Sequence, residues 1–222
     1  MTTVLYKKID FSSMNKTLYI DKFVFWTENE TEKIPDVSFI PPMLRRRLST
    51  IEKITIALAS KVAPENTNYR TVFASRFGEW DQTIKLIRQF YEDKEMSPAG
   101  FSNSVHNASL GHLSLLTHNK NSYTSIAAGD RTIENALLDA FTNCGPVLFI
   151  YGEEKNPSEY KDLLKKPVLS HGCAVFIDAN GKNKFELSSN NADLPALSFE
   201  KLQECLESNC TLQTSNWVLL KK

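Results

Sequence analysis

Glycine is scarce, with eight in 222 residues, and none of them builds a Gly-rich phosphate loop, a G-x-S-x-G elbow or any comparable cradle. H-E-x-x-H is also absent. These absences remove P-loop nucleotide hydrolysis, serine-hydrolase chemistry of the α/β type and zincin proteolysis from the function classes open to the chain. Cysteine is limited to Cys144, Cys173, Cys205 and Cys210, with no C-x-x-C pair and no histidine at finger-like spacing after Cys205 and Cys210, which argues against a structural zinc. His106, His112 and His118 recur every six residues, so a helix would place them on different faces and in no ligand arrangement. No metal and no cofactor is expected. Charge of one sign is lacking too: Lys and Arg total 26 against 26 Asp and Glu. That balance gives no electrostatic footprint for nucleic acid and no polybasic surface for a membrane. No apolar run reaches the length of a membrane span, and Lys7 and Lys8 have no apolar stretch behind them, so neither a signal peptide nor a disulfide framework is expected and the reading is cytoplasmic.

What remains has ordinary globular composition, 41% hydrophobic and 23% charged, enough for one folded domain over residues 1–222. Leu18 to Trp26 reads as a first strand. Pro41-Pro42 opens an amphipathic helix carried by Leu44, Leu48, Ile51, Ile54 and Leu58 to about Val62. Arg45 to Arg47 lie at its start, where the helix dipole disfavours cations, and read as a solvated or partner-facing surface. Thr71 to Ser75 is a short buried strand, followed by a helix bearing Trp80, Ile84, Ile87, Phe90 and Tyr91. Pro146 to Tyr151 is a continuous apolar run of strand length, suited to the centre of a sheet. Asn180-Gly181 between two β-rich runs predicts a hairpin that closes the sheet edge. A short helix from Leu197 and a strand from Trp217 complete a mixed α/β order without internal repeats.

The stretch from Ser97 to Ala140 organises the rest. Phe101, Val105, Ala108, Leu110 and Leu113 recur at helical spacing, Tyr123 to Ala127 reads as a strand, and Gly129 breaks it before a helix capped by Asp130 and carried by Ile133, Ala136, Leu137 and Ala140. A strand entering a helix through small residues is the elbow on which α/β enzymes hold a nucleophile. Here the elbow reads Ala127-Ala128-Gly129 and has none. Ser104 and His106 are a conceivable serine-histidine pair for an independent esterase or acyltransferase, but residues two apart on a helix point away from each other.

The motifs P-P-M-L-R-R-R (41–47), S-R-F-G-E (75–79), S-P-A-G-F-S-N-S-V-H-N-A (97–108) and T-S-I-A-A-G-D (124–130) come in one order that resembles the β-ketoacyl-synthase-like family. More narrowly, over about residues 18 to 220, they resemble the short N-terminal-half homologues that serve as chain-length factors in bacterial aryl polyene clusters. The resemblance implies a thiolase-like half-fold, a mixed central sheet of about five strands with helices on both faces. It places Ala128 where the family carries its nucleophilic cysteine, and neither of the family's histidine motifs occurs. It therefore implies a catalytically silent subunit that heterodimerises with a full-length ketosynthase, meets acyl carrier protein indirectly and shapes the acyl tunnel. A pure assembly role is the alternative. Phe101, Ser104, His106, Asn107 and Leu110 match the region that reaches across the dimer in relatives, and are the expected tunnel or interface residues.

Overall fold

The computed structural model describes residues 15–65, 68–157, 160, 168–181, 183–208 and 210–222; Lys7, Lys8 and the rest of the N-terminal reading lie outside them. Its centre is an eight-stranded sheet in the order β3-β2-β4-β5-β1-β6-β8-β7, built from β1 (Asn15–Thr27), β2 (Arg70–Ala74), β3 (Tyr123–Ile126), β4 (Val147–Glu153), β5 (His171–Ile177), β6 (Asn183–Ser189), β7 (Leu212–Gln213) and β8 (Trp217–Lys221). The expectation of about five strands covers only its mixed part. There β2 pairs in parallel with β3 and β4, and β5 runs antiparallel to both β4 and β1. Beyond β1, the strands β6, β8 and β7 extend the sheet in antiparallel fashion.

The period-2 alternation of the strands sorts side chains to two faces, each covered by helices. Val147, Phe149 and Tyr151 of β4 and Cys173, Val175 and Ile177 of β5 meet α6 (Thr132–Thr142) and α7 (Phe199–Glu207). Leu148, Ile150, Ala174 and Phe176 point the other way, against α2 (Thr50–Val62) and α5 (Ala108–Thr117). Burial on both faces is why β4 reads as an unbroken apolar run. A β-bulge at Asp21 does for β1 what alternation alone could not. Leu18 and Ile20 face the α6 side before the bulge, and Phe23 and Phe25 pack on that same side after it, because the extra residue resets the parity.

Three local expectations are corrected. The helix read from Pro41 to Val62 is two: α1 (Pro42–Arg45), then α2, separated by Arg46 to Ser49. Ser49 opens α2 with a full capping box, its hydroxyl accepting the Glu52 N–H while the Glu52 carboxylate accepts the Ser49 N–H, which outcompetes a continuous helix at that point. The apolar set from Phe101 to Leu113 likewise divides into α4 (Pro98–Ser102) and α5. Finally, Asn180-Gly181 does not join paired strands. β5 and β6 are both antiparallel to β1, which lies between them, and the connection crosses the β1 bulge so closely that a Cβ at Gly181 would stand 2.9 Å from Tyr19 Cβ. The turn dipeptide encodes a local reversal; the partner of each strand is chosen by the long apolar β1. No helix among the described residues is long and apolar enough to cross a membrane.

Candidate functional site at the strand-to-helix elbow

β3 is one of the two outer strands of the sheet, and at its end the chain turns through exposed Ala127 and Ala128 into a 3-10 turn, Gly129–Arg131, and then α6. Gly129 adopts a positive φ of 58°, where a side chain would be strained. The polar group that closes the elbow is Thr132 and not Asp130. Its Oγ1 accepts the Ala128 N–H at 2.9 Å and donates to the Gly129 carbonyl at 2.7 Å. Asp130 instead pairs with the Arg76 guanidinium, which also lies 4.9 Å over the Phe77 ring. Arg131 fixes the far side of the turn by bonding Glu134, Ser215 and the Leu194 carbonyl.

Beside the elbow, at the ends of β2 and β4, is a cleft of about 310 Å³. Phe77, Ile133, Leu197 and Phe199 form its apolar walls, and Arg76, Asp130, Glu153, Tyr151 and His171 supply polar groups. His171 Nδ1 faces the Leu169 carbonyl at 2.7 Å and so carries the proton; Nε2 is left to accept from the Tyr151 hydroxyl at 3.3 Å. Burial holds the His171 pKa below its ordinary value and raises that of Tyr151, so both stay neutral at physiological pH. The pair is a packed, hydrogen-bonded wall. Sequence reasoning passed over Tyr151, His171 and Glu153, although a carboxylate closing a wholly apolar strand run was a signal that could have marked Glu153.

The expected interface residues take separate places. Phe101 on α4 is 57% exposed, whereas Leu110 on α5 is 1% exposed and packs beneath α2 in the chain's own core. Ser104 donates to the Phe101 carbonyl at 2.9 Å, and His106 Nε2 donates to the Ser75 carbonyl at 2.8 Å, so the two form no nucleophile-base pair. His106 and Asn107 line an open depression of about 430 Å³ together with Tyr123, Ser125 and Ala127. The structure thus brings two of the expected residues to the elbow's own strand.

His106 is held against Phe73, with ring centroids 5.6 Å apart, and against Gly78. Gly78 has φ of 59°, and a Cβ there would come within 2.7 Å of His106 Cδ2. Gly78→Ala is therefore expected to lower stability by about 1–3 kcal/mol, from backbone strain together with displacement of a hydrogen-bonded ring. A denaturant midpoint unchanged from the parent would show that the approach is not this close.

A solved structure described as the ketosynthase ApeO in complex with its chain length factor ApeC, from Xenorhabdus doucetiae, aligns with a TM-score of 0.74 at 19% identity, covering 92% of this chain and 99% of the matched one. A type II polyketide synthase complex, an acyl-carrier protein with its ketosynthase bound to the hexaketide, aligns at 0.59 with 16% identity over 75% of this chain and 64% of that one. The ishigamide ketosynthase/chain length factor aligns at 0.52 with 10% identity over 65% of this chain and 50% of that one. At these identities the likeness is one of fold, the thiolase-like ketosynthase fold. No match was found among curated proteins. The sequence profile described as Beta-ketoacyl synthase, N-terminal domain, matches residues 23–221, and the chain belongs to that family.

Proposed function

We propose that this chain is a non-catalytic, chain-length-factor-type subunit that pairs with an active ketosynthase in the cytoplasm and bounds the acyl tunnel of the complex, in polyketide synthesis of the aryl polyene kind. The observation that carries the reading is the elbow of a ketosynthase-family chain ending in Ala127-Ala128-Gly129, where Ala128 offers a methyl group and no nucleophile for thioester attack. The two fully buried thiols, Cys173 and Cys205, do not substitute. Cys173 is wholly buried in β5 with its pKa raised by burial, and burial pushes Cys205 up to about 12, where its Sγ donates to the Cys210 carbonyl.

Support for a partner comes from the edge of the sheet. β3 has a neighbour on one side only and exposes Tyr123; His106 and Asn107 meet that strand across the open depression, and Phe101, Val105 and Leu115 are further exposed apolar side chains of the 98–117 segment. An uncovered strand edge beside apolar surface is a liability that association removes. Phe101, His106 and Asn107 are the residues proposed to meet the ketosynthase. Leu110 supports that surface from below, and Ser104 fixes the turn after α4.

Coexpression with a full-length ketosynthase should yield a one-to-one heterodimer by light scattering. Incubation of that complex with an acyl-acyl-carrier-protein thioester should acylate the ketosynthase alone, as read by intact-protein mass spectrometry. A stoichiometric acyl adduct on this chain would overturn the silent-subunit reading, and a chain that ignores the ketosynthase would overturn the partnership.

A further inference from the structure

Three carboxyl groups that the elbow does not use converge on one loop. Glu153 and Glu154 end β4 and its continuation, and Glu79 immediately precedes α3 (Trp80–Asp93); they are 4%, 4% and 2% exposed. Glu153 takes the Arg76 N–H on one oxygen and the Ser75 hydroxyl, at 3.2 Å, on the other. Glu154 accepts the Asp81 N–H at 2.7 Å, at the first turn of α3. Glu79 accepts the Ser109 hydroxyl of α5 at 3.2 Å with Oε1, while its buried Oε2 has no hydrogen-bond partner. Residues 75–81 are thereby gripped at both ends by acids.

Beyond this grip the chain is lightly held. α3 packs chiefly against α4, buries only Ile84 and Leu86, and leaves Ile87, Phe90, Tyr91, Met96 and Phe101 exposed across the α3–α4 arm. A carboxylate at Glu79 would face the Glu52 and Glu154 charges with one oxygen unpartnered, the costly arrangement of a buried like-charge group. A carboxylic acid there is neutral and avoids that cost.

We propose that Glu79, Glu153 and Glu154 form a proton-filled clasp that holds the arm in place, so that its exposed apolar side chains are presented while the clasp is protonated and released as it ionises. Burial first, then the Glu52 and Glu154 charges, pushes Glu79 up to about 8, and burial raises Glu153 and Glu154 to about 7. The surrounding groups enter the balance. Glu52 faces Glu79 from α2 and is itself bonded to His112 of α5 at 2.7 Å; Asp81 and Lys85 of α3 face Glu154; Arg76, with Asp130 behind it, and Tyr151 face Glu153. The sign follows from these raised values. The closed arm retains protons that the opened arm, with carboxyls back in their ordinary range, releases, so closure is strongest at low pH and is lost as pH rises through about 7 to 8.

The clasp depends on the ketosynthase reading only for what the arm presents, and its test separates the two. Hydrogen exchange of the full chain, normalised to intrinsic rates, is measured at about pH 6 and about pH 8 in the parent, Glu79→Gln and Glu154→Gln proteins. Opening of residues 80–102 should increase about tenfold per pH unit for each proton released, relative to α2 and α6 in the same molecule. Glu79→Gln, a neutral mimic of the acid, should reduce that response by one proton's share while leaving α2 and α6 protection unchanged, and Glu154→Gln should do the same if Glu79→Gln does not fold. An arm whose opening is independent of pH, a response equal in parent and both variants, or opening shared by every helix overturns the clasp. Ketosynthase affinity is followed over the same range: no complex at any pH, with a pH-dependent arm, sinks the partner reading and keeps the clasp.

Discussion

Gly172→Ala is expected to lower the denaturation midpoint more than any other single methyl addition in the sheet. Gly172 lies on β5 opposite Gly152 on β4, and the pair forms the floor on which Ile51, Ile54 and Leu58 of α2 rest. A Cβ at Gly172 would stand 2.6 Å from the Tyr151 carbonyl oxygen, 2.9 Å from Leu58 Cδ1 and 3.1 Å from Ile54 Cγ2. The first of these is backbone of the central strand and cannot step aside without breaking the β4–β5 ladder. Overpacking of this kind costs about 3 kcal/mol, which for a chain of this size lowers Tm by roughly 6–12 °C. Gly152→Ala is the internal comparison. Its nearest neighbour, Ile51 Cδ1 at 3.0 Å, is the end of a flexible side chain, so its effect should be clearly smaller. Equal midpoints for the two variants by thermal and chemical unfolding would mean that α2 does not sit on the sheet as described.

That helix-on-glycine contact also shows where sequence reading stops. Element types were legible because burial imposes a period: β4 as an unbroken apolar run, α6 from Ile133, Leu137 and Ala140, and the elbow from Ala-Ala-Gly between a strand and a helix. Breaks inside a periodic stretch were less legible. The capping box Ser49-Glu52 was written in the sequence, but the apolar periodicity on both sides of it masks the interruption. The bulge in β1 was also written there, as Leu18 and Ile20 followed by Phe23 and Phe25, a change of parity that only an extra residue reconciles with one buried face. Pairing of strands distant in sequence was not legible at all. The Asn180-Gly181 dipeptide states that the chain turns, and nothing local states that β1, from the other end of the chain, occupies the space between β5 and β6.

The candidate site divides along the same line. Motif order placed the Ala127-Ala128-Gly129 elbow between a strand and a helix, and the structure puts His106 and Asn107 beside the β3 edge. The same periodicity that brought Leu110 to attention is, however, what buries it, since residues at helical spacing on α5 face α2. Glu79, Glu153 and Glu154 were invisible for the opposite reason. A glutamate in sequence reads as surface, and only the fold reveals that three of them are enclosed around one loop.

Phe101→Ala, in the reconstituted complex with a ketosynthase, is expected to shift the polyene product distribution toward longer chains. The ring is 57% exposed at the end of the arm, so it is free to project into a partner, and α4 is held by the Ser97 hydroxyl capping the Gly100 N–H. Volume is the mechanism. Each methylene that enters an apolar tunnel gains on the order of 0.8 kcal/mol by leaving water, so growth halts only where overlap with a wall costs more, about 1–3 kcal/mol. Deleting the ring removes that overlap and lets the next additions proceed. Lys33→Ala, an exposed change elsewhere, serves as the neutral control. Leu110→Ala distinguishes length control from loss of structure: buried beneath α2, it should cost about 2–5 kcal/mol of stability and reduce the amount of complex without lengthening its product. Product lengths unchanged by Phe101→Ala, with complex formation and total turnover intact, would leave this chain as an assembly partner and take Phe101 out of the tunnel.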